Sequence, residues 1–357
     1  MTVLNLSAAC LQEAFNEKCV LITGATGSFG QHLVSKILEH CTPAAIVILS
    51  RDELKQSVMQ EKFGRRATVK YLLGDIRDYE RLTDAFEDVD IVIHGAALKQ
   101  VPSLERNPFE AIKTNVLGAN NVIRAAVACG VKKLIALSTD NASSPVSLYG
   151  ATKLCQDKLM VAANHMYRGK ARQAPVVSVV RLGNVFGSSG SVVPLFLQQA
   201  QLSGTVTVTD ENMTRFTMAL DESVGFVVNC INMMRGGEIF VPKLSTYRLG
   251  TLVDVFASEN IAVSTVGARP GERIHEVMVP QDEAVNALEF DDHFVICPDG
   301  PWWDAERKFY KESKQGKHVG RNFVYSSNGD ESGPSSTFVS KEDLQGLLAD
   351  VLDRAEN

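Results

Sequence analysis

The sequence predicts an α/β protein: a doubly wound parallel sheet with helices on both faces and a smaller substrate-binding domain beside it. Three observations predict it. Six short β-branched runs alternate with longer helix-like stretches, a glycine-rich turn follows the first run, and the alternation loosens after Gly187. Strands alternating with helical segments build βαβ units, and a sheet covered on both faces has strands that read as continuous apolar runs.

The runs, in order, are "CVLIT" (Cys19 to Thr23), "AIVILS", "VKYLL", "DIVIHG", "KLIALS" and "VVSVVRLG". Beyond them "TVTVTD" predicts a strand, "DESVGFVVNCINMM" a helix and "ARPGERIHE" a turn-rich segment. The first domain is expected over residues 1–185 with a return segment near 219–243, the smaller one over 186–218 and 244–300, and a C-terminal extension over 301–357. In that extension "SSNGDESGPSS" has loop composition, and "SKEDLQGLLADVLDRA" opens with a Ser-x-x-Asp capping pattern and predicts a terminal helix.

With 357 residues the chain can bury a large core. Its net charge of −6, with 45% hydrophobic and 22% charged residues, lacks the basic excess of nucleic-acid binding, so no nucleic-acid partner is expected. The short basic run from Lys308 to Lys317 reads as a solvated face. The seven cysteines form no CxxC pair and no Cys/His ligand spacing, which predicts neither disulfides nor a metal site and fits a reducing cytoplasm. "LSAAC" near the start follows no basic or apolar leader, and no stretch reaches the roughly 18 apolar residues of a membrane helix. A soluble, cytoplasmic protein without a membrane partner is expected.

"VLITGATGSFGQHLV" sets Gly24, Gly27 and Gly30 between the first strand and an amphipathic helix. The glycines allow a tight turn and close backbone approach, and the helix N-terminus offers free N–H groups to a pyrophosphate. The second strand ends about 20 residues later, the context of a dinucleotide fingerprint in a Rossmann domain. There the sequence reads Ser50-Arg51-Asp52. Arg51 favours NADP by pairing with a 2′-phosphate; the alternative is Asp52 on the ribose of NAD. "GDIRD" and "HGAAL" follow the third and fourth strands, at the sheet edge where ligands bind.

Tyr149 and Lys153 stand at i and i+4 at the start of a helix beyond the fifth strand, so their side chains share a face. A neighbouring ammonium and a cationic nicotinamide ring would both favour the phenolate, letting Tyr149 take a hydroxyl proton while hydride leaves the same carbon.

These pieces, together with "SRDELKQ", "AALKQVP", "NPFEAIKTNVLGANNVI", "STD", "LYGATKL", "RLGNVFGSSGSVVPLF", "TRFTM" and "RPGERIHE", run in order from about Val20 to Glu276. The chain resembles the extended short-chain dehydrogenase/reductases and, among them, the inverting UDP-N-acetylglucosamine 4,6-dehydratases of pseudaminic acid synthesis. The resemblance implies that Tyr149 and Lys153 oxidise C4 of the sugar with NADP, that Asp140 protonates the departing C6 hydroxyl, and that the stored hydride returns to C6 with C5 inverted. It implies cofactor contacts from Gly24, Thr26, Gly27, Ser28, Phe29 and Gly30, from Ser50, Arg51, Asp75 and Ile76, and from Ala96, Ala97, Lys99, Tyr149 and Lys153. Substrate contacts are implied for Lys99, Asn184, Ser191, Val192, Arg215, Arg269 and Glu272, with a UDP-sugar as substrate and a homo-oligomer as assembly. Arg269 reads equally as a loop salt bridge.

One position departs from the pattern. The residue after Asp140, a lysine in the resembled enzymes and their leading candidate for removing the C5 proton, is Asn141 here. An amide cannot accept that proton. Four readings follow: another base such as Lys99 or water, a different redox reaction such as C4 epimerisation or 4-reduction, a substitution made to trap substrate, or an inactive nucleotide-sugar-binding paralogue. An epimerase would use Tyr149, Lys153 and Thr139 but has no use for a carboxylic acid beside C6, so Asp140 favours dehydration. Position 141 is expected to control C5 deprotonation, so that the protein oxidises C4 but exchanges the C5 hydrogen and dehydrates slowly, and a lysine there is expected to raise dehydration by roughly one to four decades.

Overall fold

The computed structural model describes residues 4–169, 174–257, 261–269, 271–303, 310, 316–329 and 337–356. Its first half runs α1 (Ala8–Phe15), β1 (Cys19–Thr23), α2 (Ser28–His40), β2 (Ala45–Ser50), α3 (Glu53–Phe63), β3 (Val69–Leu73), α4 (Tyr79–Ala85), β4 (Ile91–His94), α5 (Val101–Arg106) and α6 (Pro108–Ala111). A π-helical stretch, Ile112–Gly118, leads into α7 (Ala119–Ala128), followed by β5 (Lys133–Thr139), a 3-10 turn over Asp140–Ala142, α8 (Leu148–Tyr167) and β6 (Val176–Leu182). Strand order is β3-β2-β1-β4-β5-β6, all parallel, with the reversal between β1 and β4. Ligands of such sheets bind beyond the carboxyl ends at that reversal. Every residue of β2 and β4 is buried, which is why these strands read as unbroken apolar runs.

The second half adds β7 (Asn184–Val185), α9 (Val192–Ser203), β8 (Thr205–Val208), β9 (Thr214–Met218), α10 (Leu220–Met233), β10 (Ile239–Pro242), β11 (Ser245–Arg248), α11 (Leu249–Phe256) and β12 (Ala262–Thr265). Then come β13 (Val277–Val279), α12 (Gln281–Ala284), β14 (Ala287–Glu289), β15 (His293–Ile296), β16 (Lys317–His318), β17 (Tyr325–Ser326) and α13 (Lys341–Glu356). β10 joins β6 in parallel, and β15, β14 and β16 extend the same sheet antiparallel. Residues 287–296, expected in the smaller domain, thus hydrogen-bond into the main sheet, as does β16 from the expected extension. Short antiparallel strands carry no helical period and little length, so neither pairing is visible in the sequence.

A second apolar cluster, including Phe186, Phe196, Tyr247, Leu252, Phe256 and Leu344, lies apart from the main core. α13 belongs to it. Ser340 caps that helix, its hydroxyl accepting from Asp343 N at 3.1 Å while the Asp343 carboxylate accepts from Ser340 N at 3.1 Å. Of the basic run, Lys308, Lys311 and Lys314 lie outside the described residues, and Lys317 is exposed on β16. Among the described residues no helix is long and apolar enough to cross a membrane.

Candidate active site

Two glycines shape the cleft beyond β1. Gly24 has φ +71°, and a Cβ there would lie 2.9 Å from Ala96 Cα, so the first turn presses against the loop after β4. A Cβ on Gly30 would lie 2.4 Å from Ala25 Cα, so only glycine lets α2 rest on that turn. The N-cap of α2, Gly27, makes no side-chain cap, leaving first-turn N–H groups for a ligand. They open on a cavity of about 580 Å³ whose lining includes Ser28, Phe29, Ala97, Lys99, Thr139, Asn141 and Tyr149.

An adjoining cavity of about 240 Å³ is lined by Thr26, Ser50, Arg51, Lys55, Asp75, Ile76 and Thr114, among others. Thr114 Oγ1 is buried there without a partner. A cradle that a Cβ would fill, free helix amides and an orphaned hydroxyl fit a dinucleotide. Asp52 lines this cavity too, but its carboxylate is engaged in capping α3, accepting from Lys55 N at 3.0 Å. Asp75 takes Arg77 at 2.7 Å and Arg51 at 3.8 Å. Burial pushes its carboxyl up, but the Arg77 contacts outweigh this and hold it low.

The reactive groups gather where β5 ends. Ser147 caps α8 by accepting from Gly150 N at 3.2 Å, and a Cβ on Gly150 would lie 2.2 Å from the Asn141 carbonyl. The first turn of α8 therefore sits on the 3-10 turn and brings Tyr149 beside Thr139, Asp140 and Asn141. The Thr139 hydroxyl donates to Asp140 Oδ1 at 2.7 Å, and the Asn141 amide donates to the same oxygen at 3.2 Å. Lys153, four residues on, gives its ammonium to the Leu137 carbonyl and to Gln156 Oε1, each at 2.7 Å.

This corrects the expectation that the Lys153 ammonium favours the phenolate. The chain's own groups raise the Tyr149 phenol, first by burial and then by the charge of Asp140, with only the Thr139 hydrogen bond opposing. The Lys153 ammonium is directed at Leu137 and Gln156 instead. Burial lowers Lys153 itself to about 8, against the pull of Asp157.

The π-helical stretch supplies a brace that sequence reasoning missed. Asn115, fully buried, donates to Leu98 O at 2.9 Å and Thr152 Oγ1 at 3.0 Å and accepts from Leu98 N at 2.8 Å. It ties the loop carrying Ala96, Ala97 and Lys99 to the helix carrying Tyr149. Lys99 donates to Ser189 O at 2.7 Å, and Ser28 Oγ bonds Ser189 Oγ at 3.0 Å, so the Gly187–Ser191 segment bridges both sides of the cleft. Burial lowers the Lys99 ammonium.

A cavity of about 520 Å³ continues from Asn141 and Asp140 to Arg215, Arg269, Glu272, Arg273 and Glu276. Another of about 210 Å³ brings together Asn184, Ser191, Val192, Arg215, Arg269 and Glu272, all expected at the substrate. Asn184 turns its amide to Glu276 at 2.8 and 2.9 Å, and Arg215 lies 3.7 Å from Glu272 and 3.4 Å from Glu276. Arg269 donates its backbone N–H to Glu272 Oε2 at 3.1 Å, while its side chain lines both cavities. Glu276, Arg273 and Asn115 were not singled out from the sequence. Nor was the buried triad of Arg181 with Glu283 at 2.7 Å and Asp157 at 3.6 Å, though an arginine inside an apolar strand run signals that a buried partner must exist.

The family described as polysaccharide biosynthesis protein matches residues 20–298. An inverting UDP-N-acetylglucosamine 4,6-dehydratase of Campylobacter jejuni is 46% identical over 317 residues, covering 88% of this chain and 93% of that protein. A UDP-glucose 4-epimerase of Rickettsia canadensis is 39% identical over 308 residues, covering 84% and 89%. The X-ray structure of Pen from Bacillus thuringiensis superposes with a TM-score of 0.83 at 35% identity, covering 95% of this chain and 98% of that one. DesIV, a dTDP-glucose 4,6-dehydratase from Streptomyces venezuelae with NAD and TYD bound, shares the fold at TM-score 0.64 and 22% identity, covering 72% and 86%. With its parallel sheet, its glycine-rich first turn and these relatives, the chain belongs to the polysaccharide biosynthesis protein family and has the fold of the extended short-chain dehydrogenase/reductases.

Proposed function

We propose that the protein is an NADP-dependent 4,6-dehydratase that converts UDP-N-acetylglucosamine to a 4-keto-6-deoxy sugar with inversion at C5. The observation that carries this is Asp140, a buried carboxyl bonded to Thr139 beside Tyr149 and open to the neighbouring cavity. Burial raises its pKa against the pull of Thr139, Arg215 and Asn141, which suits a proton donor. A C4 epimerase moves hydride at C4 only and has no proton to deliver at C6.

When bound, the nicotinamide supplies the acceptor for the C4 hydride and its later return to C6. Tyr149 takes the O4 proton, with Lys153 one helical turn away. The 4-keto group acidifies C5, and Asp140 donates to the C6 hydroxyl as it leaves as water. Lys99 takes the C5 proton: it is an amine in the cavity that Asn141 and Tyr149 line, and its burial favours the neutral form. NADP is supported by Arg51 and Lys55 beside Ser50 and Thr26, and by the engagement of Asp52 in its helix cap.

A second reading, C4 epimerisation, is favoured by the Rickettsia relative and by the amide at position 141. Mass spectrometry of UDP-N-acetylglucosamine after incubation separates the two. Loss of one water supports dehydration; conversion at constant mass supports epimerisation and overturns the dehydratase reading.

A further inference from the structure

Gln156 stands three residues beyond Lys153 on α8, and both side chains are buried. The Lys153 ammonium donates to the Leu137 carbonyl and to Gln156 Oε1, each at 2.7 Å, and Gln156 Nε2 donates to the same Leu137 carbonyl at 3.1 Å. These three contacts close a ring of ammonium, side-chain amide and strand carbonyl near the end of β5. Only one amide orientation satisfies it. Reversed, the amide would set its N–H groups against the ammonium and its oxygen against the Leu137 oxygen. The ring takes two of the three ammonium protons and leaves one to spend elsewhere. Leu137 also lines the cavity of about 580 Å³ into which the first turn of α2 opens, so the ring sits against a wall of the dinucleotide cleft.

The other charged and titratable groups around Lys153 come from several elements, and each has its own partner. Asp157, next on α8, accepts from Ser138 Oγ at 2.9 Å and lies 3.6 Å from Arg181 of β6, which meets Glu283 of α12 at 2.7 Å. His94 of β4 bonds Thr23 Oγ1 at 2.8 Å, and burial together with the Lys153 charge keeps its ring neutral. Tyr149, one turn earlier on α8, is turned to Thr139 beside Asp140. Among the described residues, Gln156 is the one side chain that accepts from the Lys153 ammonium.

We propose that Gln156 is a positioning residue for the dinucleotide: together with the Leu137 carbonyl it clamps Lys153, as an ammonium, against the wall of the dinucleotide cleft instead of at Tyr149. The proposal rests on the reading of that cleft as a dinucleotide site, which dehydration and epimerisation share. A dinucleotide offers hydroxyl and phosphate oxygens, all of them acceptors for the remaining ammonium proton. A neutral amide suits the clamp. Burial strips the ammonium of water and lowers Lys153 to about 8, against the pull of Asp157, so a buried acceptor helps to hold the charge near neutrality. A carboxylate in that place would hold the charge more firmly, but it would face the Leu137 oxygen with no proton to give.

The test uses the full chain as Gln156→Met and Gln156→Glu. NMR of the protein labelled with carbon-13 lysine follows the Lys153 Cε resonance against pH, with Lys153→Met assigning it, and calorimetry follows NADP binding over the same range. In the wild type, NADP affinity is expected to fall as the pH rises through the Lys153 midpoint. Gln156→Met removes an acceptor from a charged donor, so the midpoint should drop by about one to two pH units. The fall in affinity should move with it, leaving NADP roughly tenfold weaker near neutral pH. Gln156→Glu should raise the midpoint by about one to three pH units. A merely structural role weakens binding without moving the midpoint. A Gln156→Met midpoint that is unmoved or raised overturns the proposal, as does a lowered midpoint with unchanged NADP affinity. If Gln156→Met does not fold, Gln156→Glu decides, and a midpoint no higher than that of the wild type overturns it. Neither readout uses turnover, so failure to lose water from UDP-N-acetylglucosamine removes the dehydratase reading alone. A wild type that binds no NADP removes the cofactor reading and, with it, the dinucleotide role of the clamp.

Discussion

Asn141 donates its side-chain amide to Asp140 Oδ1 at 3.2 Å. The residue standing where the resembled dehydratases carry a lysine is thus a hydrogen-bond donor to the proposed acid, and the C5 proton must go elsewhere. Lys99→Met is expected to lower C5 deuterium exchange and dehydration by about 10²–10⁴-fold, the worth of a positioned base. Asn141→Lys is expected to gain less than about tenfold, because a new ammonium there also draws the Asp140 proton down. Both are read from water loss and from C5 exchange in heavy water. A rise of one to four decades in Asn141→Lys would instead show that the wild type works without a base.

Tyr149 touches Thr139 and stands beside Asp140, so removing its hydroxyl should stop the reaction at the first step. Tyr149→Phe is expected to bind the nucleotide sugar, yet show no C4 oxidation and no C5 exchange. Titration calorimetry checks binding and NMR checks exchange; normal turnover would remove Tyr149 from the mechanism.

Arg51 is half-exposed beside Ser50 and Lys55, well placed to meet a phosphate. Arg51→Ala is expected to weaken NADP by roughly tenfold to a hundredfold, the loss of one charged hydrogen-bonding partner of about 1.5–3 kcal/mol. NAD binding should stay within about twofold. Equal losses for both dinucleotides would show that Arg51 does not select the 2′-phosphate.

Gly30→Ala puts a Cβ 2.4 Å from Ala25 Cα, a main-chain atom that cannot swing aside. The expected cost is about 1–3 kcal/mol or more, as in other overpacked sites. Thermal denaturation without added dinucleotide checks it, since the effect is on packing of α2 rather than on ligand contacts. An unchanged melting temperature would mean that α2 shifts freely.

The main sheet was legible because its signals are local. A strand such as "AIVILS" buried on both faces must be apolar throughout, and Gly24 and Gly30 mark backbone contacts that no other residue tolerates. Tyr149 and Lys153 were legible through helical spacing. Glu276 was not, although "RPGERIHE" ends on it: nothing in a turn-rich stretch says that its last carboxyl turns into the cavity that Asp140 also lines. The direction of the Lys153 ammonium was misjudged for a related reason. Spacing places Lys153 on its face of the helix, but only the fold shows the ammonium bonded to Leu137 O and Gln156. The strands β14 to β16 escaped because pairing across a long chain separation leaves no period to read.

Ser189 accepts from Lys99 through its carbonyl and meets Ser28 through its hydroxyl, so one short segment spans the mouth of the dinucleotide cleft. A reaction that lends a hydride and takes it back has no need to open that mouth between turnovers. Isotope sorting follows as the consequence. In a mixture of substrate deuterated at C4 and undeuterated substrate carrying a heavy sugar, each product molecule should keep its own label at C6, with no crossover between the two populations. Cutting the bridge with Ser28→Ala, which removes the hydroxyl that holds both Ser189 Oγ and Ser189 N, would let the label scramble by way of free dinucleotide.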